Sequence, residues 1–208
     1  MIANLDRFTT TSNQFAAFTN LFNYGAVAVS IRASVAGSYS FAGKNITGAF
    51  NLLGSAGDDY LAGDSKAQTL DGGDGNDVLQ GLAGADVLLG GNGDDEFLVG
   101  FTEANGDVIH GGTGNNKISS WNADLSQASI SNVQTLIANL DKITLTAAQF
   151  AGLSTIQNFG SAPVAILAAT SGSYNLASKD TTGLFNLVGS AGNDLLIGNA
   201  AAQTLTGG

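Results

Sequence analysis

Acidic residues crowd into one part of this chain and recur there at regular spacing. Twelve of the 17 Asp and Glu residues lie between Asp58 and Asp107, while Lys66 and Lys117 are the only basic residues in the stretch 54–119. Like charges this close repel one another unless water or cations screen them. The same negative balance disfavours nucleic acid as a partner, because phosphate contacts need clustered Lys and Arg. The first chemistry that the sequence indicates is therefore the binding of cations.

The acidic part is built from nine-residue blocks. Their shared pattern is G-G-x-G-x-D-x-(large apolar)-x, which starts at Gly54, is interrupted by three extra residues at 99–101, and starts again at Gly189. The eighth position of each block holds a large apolar residue. In the first run these residues are Leu61, Leu70, Leu79, Leu88, Phe97, Ile109 and Ile118. One apolar side chain per block cannot bury a surface alone, but stacked blocks would form a continuous apolar column.

This pattern resembles that of the RTX (repeats-in-toxin, hemolysin-type) calcium-binding family, which occurs in bacterial surface-layer proteins and adhesins. The resemblance covers about 66 residues in the first run and 20 at the C-terminus. It implies an all-β fold, a right-handed parallel β-roll or β-solenoid with calcium-binding turns. In such a roll a short apolar strand and a glycine-rich turn make half of an 18-residue coil. Calcium takes about six to eight oxygen ligands, which carboxylates and turn carbonyls can supply.

Blocks two apart should stack on the same side of the coil, so their sixth-position residues should form two ladders. One ladder is Asp59, Asp77, Asp95 and Asn116, and the other is Gln68, Asp86 and Asp107. We expect several calcium ions to lie between neighbouring rungs. Without calcium the repelling aspartates should leave this part disordered, so that metal binding would supply folding energy.

The predicted calcium sites differ in quality. The best are those between Asp59 and Asp77, between Asp77 and Asp95, and between Asp86 and Asp107. Asn116 is a weaker ligand because it carries no charge, and Gln68 breaks the pattern. Asp194 continues the pattern in the second run, where its partner rung is not evident.

A longer repeat has a period of 135 residues. Residues 1–73 align without gaps to residues 136–208, with 38 identities in 73 pairs, such as Gly37-Ser38-Tyr39 against Gly172-Ser173-Tyr174. A match of this length indicates a duplicated unit and suggests a segment of a longer tandem array. The expected domains are an apolar solenoid-like segment at 1–53, a calcium roll at 54–120, a second solenoid-like segment at 121–188 and the start of a second, truncated roll at 189–208.

The segments outside the rolls lack the Gly-Asp pattern. Their short apolar runs between turn residues suggest buried strands. The sequence from Thr146 to Gln149 is typical of a capping box, so a short helix through Phe150 to Leu153 is expected, with a counterpart at Thr11 to Gln14. Our main interpretation is that the solenoid continues here with apolar packing in place of calcium. The alternative is a separate small α+β domain between the rolls.

Catalysis finds little support in the sequence. The single histidine, His110, occupies a variable position of a block, there is no cysteine, and no serine has an evident His or Asp partner. The regular spacing of the carboxylates is explained by calcium. We therefore expect no enzyme activity and no cofactor besides calcium.

Two function classes follow. The first is a calcium-binding structural module of a repetitive secreted bacterial protein, such as a surface layer, adhesin or extracellular filament. The second is an accessory calcium-dependent folding domain of a type I secreted enzyme or toxin. The duplication favours the first. We expect an extracellular or cell-surface location, reached by type I secretion as the resemblance implies. No membrane span is expected, since no apolar stretch reaches about 18 residues. We also expect self-association through the open ends of the solenoid.

Overall fold

The computed structural model describes residues 2–3, 7–101, 103–201 and 203–208. Over these residues the chain forms a β-solenoid of about nine turns. Its strands pair in parallel in every sheet. The predicted all-β parallel solenoid is confirmed.

The strands fall into three groups along the chain. Those before the first roll are β1 (Ile2–Ala3), β2 (Arg7–Thr10), β3 (Asn20–Asn23), β4 (Val29–Ala33), β5 (Ser38–Ser40), β6 (Asn45–Thr47) and β7 (Phe50–Leu53). The roll contains β8 (Tyr60–Ala62), β9 (Thr69–Asp74), β10 (Val78–Gln80), β11 (Val87–Asn92), β12 (Glu96–Val99), β13 (Val108–Thr113) and β14 (Lys117–Trp121). After it come β15 (Ser129–Ser131), β16 (Thr135–Asn139), β17 (Lys142–Leu145), β18 (Thr155–Gln157), β19 (Val164–Ala168), β20 (Gly172–Asn175), β21 (Asp180–Thr182), β22 (Phe185–Val188), β23 (Asp194–Ile197) and β24 (Leu205–Thr206).

Two long sheets form the opposite walls of the solenoid. One has the strand order β21-β18-β16-β14-β12-β10-β8-β5, and the other has the order β15-β13-β11-β9-β7-β4-β2. Strand β1 belongs to a three-stranded sheet (β1-β3-β6), β17 to a four-stranded sheet (β17-β19-β22-β24) and β20 to a pair with β23. The first wall runs without a break from the segment before the roll to the segment after it.

The eighth-position residues form the buried column that their spacing predicts. On one wall Leu61 lies beside Leu79, Leu79 beside Phe97 and Phe97 beside Ile118. The column then continues past the roll to Leu136, which pairs with Ile118. All five side chains are at most 1% exposed. The apolar core therefore crosses the boundary near residue 120, and the solenoid continues there as expected in preference to a separate α+β domain.

The two short helices lie in the segments outside the roll. Helix α1 spans Ser12–Ala17 and helix α2 spans Ala147–Gly152. Each begins with a capping box, formed by Thr11 with Gln14 and by Thr146 with Gln149. The predicted capping boxes are confirmed, and a 3-10 turn at Leu176–Ser178 adds a short element that the sequence did not suggest. Neither helix of the described chain approaches the length and apolarity needed to cross a membrane.

Candidate metal sites

The glycine-rich turns of the roll lie directly on one another. Gly91 has φ +107° and Gly93 has φ +132°, a conformation that side chains rarely adopt. A Cβ on Gly91 would collide with the backbone of Gly73 in the turn below, and a Cβ on Gly93 with that of Gly75. Only glycine allows this spacing, which brings turn carbonyls of successive rungs close to the sixth-position side chains.

The sixth-position residues stack into the two ladders expected from the 18-residue period. On the first ladder the N–H of Asp59 donates to Oδ1 of Asp77 at 2.8 Å, and the N–H of Asp77 donates to Oδ1 of Asp95 at 2.9 Å. The N–H of Asp95 donates to Oδ1 of Asn116 at 2.9 Å. One side-chain oxygen of each rung thus binds the backbone of the rung before it.

The second ladder follows the same rule. The N–H of Gln68 donates to Oδ1 of Asp86, and the N–H of Asp86 donates to Oδ1 of Asp107, both at 2.8 Å. Asp107 lies 21 residues after Asp86 because the insertion at 99–101 lengthens this turn, and Phe101 in it is 64% exposed. The extra residues therefore leave the stacking of the rungs intact.

The other carboxylate oxygen is free on three central rungs. Oδ2 of Asp77, of Asp86 and of Asp95 is buried and accepts no hydrogen bond from any described residue. All three residues are at most 1% exposed. A buried carboxylate oxygen without a partner is costly, so each of these atoms indicates a missing positive or hydrogen-bonding group.

A backbone carbonyl lies opposite two of these oxygens. A Cβ built on Gly72 would collide with Oδ2 of Asp77 and would stand 2.5 Å from the carbonyl oxygen of Gly90. A Cβ built on Gly90 would meet Oδ2 of Asp95 and, at 2.5 Å, the carbonyl oxygen of Gly111. In each case a carboxylate oxygen and a carbonyl oxygen from successive rungs lie close to the same glycine, and a side chain there would displace them. Calcium accepts both kinds of oxygen as ligands.

Burial raises the pKa of these carboxyls. It lifts the pKa of Asp77 to about 7. The hydrogen bond from the Asp59 backbone opposes this rise in pKa, and the charges of Asp95, Asp59 and Asp58 add to it. Burial likewise lifts the pKa of Asp86 to about 7 and that of Asp107 to about 6, and it raises that of Asp95. The site without metal therefore resists carrying its full negative charge, and a bound cation would remove this penalty.

Asp59 and Asp194 occupy equivalent places in the two copies and differ from the central rungs. The two oxygens of Asp59 accept from the N–H of Gly37 (2.7 Å) and from the N–H and Oγ of Ser55 (2.7 and 2.9 Å). Asp194 accepts in the same way from Gly172 and Ser190. At the first rung of each roll, hydrogen bonds already satisfy the carboxylate, so Asp59 and Asp194 fit a metal less well than the central three.

Asn116 ends the first ladder with an amide. Its Nδ2 donates to the carbonyl oxygens of Asn132 at 3.1 Å and Thr113 at 3.3 Å. The carbonyl of Asn132 faces Asn116 as the carbonyl of Gly111 faces Asp95. A Cβ on Gly111 would meet both Nδ2 of Asn116 and the Asn132 carbonyl oxygen. The amide N–H therefore binds the facing carbonyl oxygen at this rung, as a cation would bind it at the Asp95 rung.

Gln68 is also satisfied within its own turn. Its Oε1 accepts from the N–H of Asp64 at 2.9 Å, and its Nε2 donates to Oδ1 of Asp64. Gln203 repeats this arrangement with Asn199. These departures from the aspartate pattern mark rungs whose side chains find partners in the protein.

Several participants were absent from the sequence prediction. The serines that bind Asp59 and Asp194, at positions 55 and 190, occupy the second position of their blocks, where the pattern calls for glycine. Gln134 caps the end of the first ladder, because its Oε1 accepts from the N–H of Asn116 at 2.8 Å. Its position 18 residues after Asn116 could have revealed it.

Side chains alone do not complete a metal site here. Among the described residues, no three His, Cys, Asp or Glu side chains converge as a metal cluster. A cation at these turns would take most of its ligands from backbone carbonyls. His110, on β13, instead has its Nδ1 2.8 Å from Oγ of Ser131 at the surface.

Comparison with known proteins agrees with this geometry. The family model of the RTX calcium-binding nonapeptide repeat matches in four copies, at residues 51–67, 63–97, 101–124 and 186–208. No curated protein and no solved structure matches the chain. Repeats of this family bind calcium and are typical of secreted extracellular bacterial proteins. These four stretches of the chain belong to the RTX calcium-binding nonapeptide-repeat family.

Proposed function

We propose that this chain is a structural module of a repetitive extracellular protein, of the surface-layer, adhesin or filament kind, and that calcium folds and stiffens it. The observation that carries this proposal is the set of three buried, partnerless carboxylate oxygens on Asp77, Asp86 and Asp95. No hydrogen-bond donor among the described residues offsets the cost of burying these oxygens as carboxylates. A calcium ion at each would neutralise the carboxylate. Beside Asp77 and Asp95 it would also bind the facing carbonyls of Gly90 and Gly111.

The proposed ligands follow from the two ladders. Asp77 and Asp95 would act with the carbonyls of Gly90 and Gly111, and Asp86 would act on the opposite side with Asp107 as its neighbour. We expect the other predicted ligands to bind calcium less well. They are Asp59, Asn116 and Asp194. Their side-chain atoms already have hydrogen-bond partners, so calcium there would have to displace protein contacts.

An extracellular location is part of the same proposal. Calcium is scarce in the cytosol and abundant outside cells, so a roll that needs calcium would stay loose until export. Type I secretion, which moves unfolded chains, would suit such a protein. The 135-residue duplication supports a repeated structural role. Its proposed units are the four segments 1–53, 54–120, 121–188 and 189–208. We also propose that the protein self-associates through the ends of the solenoid.

The duplicated segments outside the roll would act as permanent spacers. Their core holds apolar side chains such as Phe150, Tyr174 and Phe185, each at most 1% exposed. Because the described residues of these segments include no run of buried aspartates, the segments would keep their shape at any calcium concentration. Calcium would then stiffen the connection between one spacer and the next.

A calcium titration tests this proposal. The intact chain would be freed of metal with a chelator and then titrated with calcium, while circular dichroism follows β content and calorimetry follows binding. We expect β content to rise with calcium, with tight binding of about three ions centred on Asp77, Asp86 and Asp95. Magnesium, which prefers a small octahedral site and keeps its waters, serves as the control and should not replace calcium. An unchanged spectrum and no binding heat would refute the proposal.

A further inference from the structure

The two copies of the long repeat differ at one surface, which we call the N-terminal face. It consists of the edge strands β1 and β2 together with helix α1. Strand β1 ends its three-stranded sheet, and β2 ends its seven-stranded sheet. Their counterparts 135 residues later are β16, β17 and α2, so the same surface occurs twice in the molecule.

In the second copy this face is covered by residues 117–134, which include the last strand of the roll and the residues that follow it. Strand β14 pairs with β16 over five residue pairs, from Lys117 beside Thr135 to Trp121 beside Asn139. Beyond it, the N–H of Leu125 donates to the carbonyl oxygen of Thr144, and the N–H of Thr144 donates to that of Ala123, both at 3.0 Å. Residues 117–134 therefore continue both sheets across the face.

Gln149 secures the covering segment to helix α2. While its Oε1 accepts from the N–H of Thr146 in the capping box, its Nε2 donates to the carbonyl oxygens of Leu125 at 2.7 Å and Ala128 at 2.9 Å. Gln14 has the same capping-box role in α1, accepting from the N–H of Thr11 at 2.9 Å. Its Nε2, however, is exposed and donates to no described residue. The first copy thus carries the same anchor without its partner.

The apolar side chains on this face also differ in burial between the two copies. Ile143 and Leu153 are buried in the second copy, at 1% and 7% exposed. Their counterparts Phe8 and Phe18 are only half-buried and meet edge to face, with ring centroids 6.4 Å apart. They line an open depression of about 390 Å³.

The covered face also has room for the larger rings of the first copy. Under the segment in the second copy, Leu125, Val133 and Leu153 help line a cavity of about 340 Å³. A phenylalanine at the position of Leu153, as Phe18 is, would find space in such a cavity. The change from leucine to phenylalanine is therefore compatible with the same cover.

We propose that the N-terminal face is a docking surface for the end of an RTX roll, with a segment of the chemistry of residues 117–134 as its occupant. The duplication supplies the reason, because the equivalent face is seen covered by this segment. The segment of a second copy is not free for this, since it is already bonded to that copy's own α2. The occupant must come from a roll that lies ahead of α1 on the same solenoid axis.

An extended chain tests this proposal. A copy of residues 72–135 is joined directly ahead of Met1, so that Met1 takes the place of Leu136, and the protein is studied in calcium. We expect hydrogen exchange in Arg7–Thr10 and Ser12–Ala17 to slow by about tenfold or more, approaching the rates in Lys142–Leu145 and Ala147–Gly152. The matched control carries aspartate in the added copy at the positions of Leu125 and Ala128, and it should show no such slowing.

A pair of substitutions gives a second, independent readout. Gln14→Glu and Gln149→Glu keep the capping-box oxygen but lose the Nε2 donor. In the present chain we expect Gln149→Glu to lower the melting temperature and Gln14→Glu to leave it nearly unchanged. In the extended chain both should lower it. The proposal is wrong if the extension leaves exchange in residues 7–17 unchanged, if the aspartate control protects equally well, or if the present chain dimerises in solution with this face protected, which would make a second copy the occupant.

Discussion

The backbone N–H of Asp59 donates to Oδ1 of Asp77, 18 residues later, while Oδ2 of Asp77 is buried and partnerless. The two oxygens of one carboxylate thus have separate tasks. One holds the preceding rung of the solenoid, and the other is free for a ligand. Stacking and the proposed metal binding therefore depend on different oxygens of one side chain, and each can be changed without removing the other.

Asp77→Asn separates these two tasks. The amide keeps Oδ1 for the backbone of Asp59 and places an N–H opposite the Gly90 carbonyl oxygen, as Asn116 does toward Asn132. We expect calcium affinity at this rung to fall at least tenfold, while the metal-free protein becomes more stable by about 1–3 kcal/mol. Calorimetry and urea unfolding in chelator measure the two effects. Asp58→Asn makes the same charge change on an exposed neighbour and should alter both values little; equal effects from both variants would contradict the prediction.

Asn116→Asp is the reverse experiment. It removes the donor to the carbonyl oxygens of Asn132 and Thr113 and creates a further free carboxylate oxygen. We expect one additional calcium ion and a loss of about 1–3 kcal/mol in the stability of the metal-free protein. Native mass spectrometry counts the ions. Asn115→Asp, at the exposed position beside it, is the matched control and should add no ion; an unchanged count in Asn116→Asp would show that the ladder's end is not set by this amide.

Gly72→Ala tests the space between carboxylate and carbonyl. The new methyl group would collide with Oδ2 of Asp77 and crowd the Gly90 carbonyl oxygen. We expect a destabilisation of about 1–3 kcal/mol from overpacking, together with loss of calcium binding at that rung. Gly152→Ala is the control, since a Cβ there meets nothing within 4 Å at the end of α2, and it should be neutral or stabilising by up to about 1 kcal/mol. Retention of full calcium affinity by Gly72→Ala would place the ion elsewhere.

The metal-free roll should depend on pH. Burial raises the pKa of Asp77 and Asp86 to about 7, above the value of about 3.9 for an unfolded aspartate. The folded state therefore binds more protons than the unfolded state between these values, and its stability falls as pH rises from about 4 to 7. In chelator we expect more β structure at pH 4.5 than at pH 8, and calcium should restore it at pH 8. Urea unfolding at both pH values measures this, and equal stability at both would contradict it.

Much of the fold could be predicted because the repeat enforces it. An apolar residue at each eighth position, such as Leu79 or Leu88, can be buried only by stacking on its counterpart one coil away. The capping boxes at Thr11 and Thr146 were equally readable, since their chemistry is local. The path of the chain through residues 121–188 was harder, because short apolar runs fit a continued solenoid and a separate domain alike. The pairing of β14 with β16 resolved it.

The candidate site was only partly predictable for a related reason. The nine-residue spacing pointed to the aspartates but treated Asp59 and Asp77 as equal. Their difference comes from Gly37 and Ser55, which lie 22 and 4 residues before Asp59 and satisfy its carboxylate. Nothing in the spacing of aspartates reports how many hydrogen bonds each receives.

The sequence by itself determined the stacked parallel coil, the two ladders and the kind of ion they suit, because periodic side chains can be buried or paired only with their own periodic copies. The tertiary structure alone decided which rungs remain unsatisfied. Asp77, Asp86 and Asp95 are left with a free buried oxygen, whereas Asn116 closes its ladder with an amide donor. The reason is physical: the need for a cation depends on every donor and acceptor around an oxygen, and those neighbours are brought together only by folding.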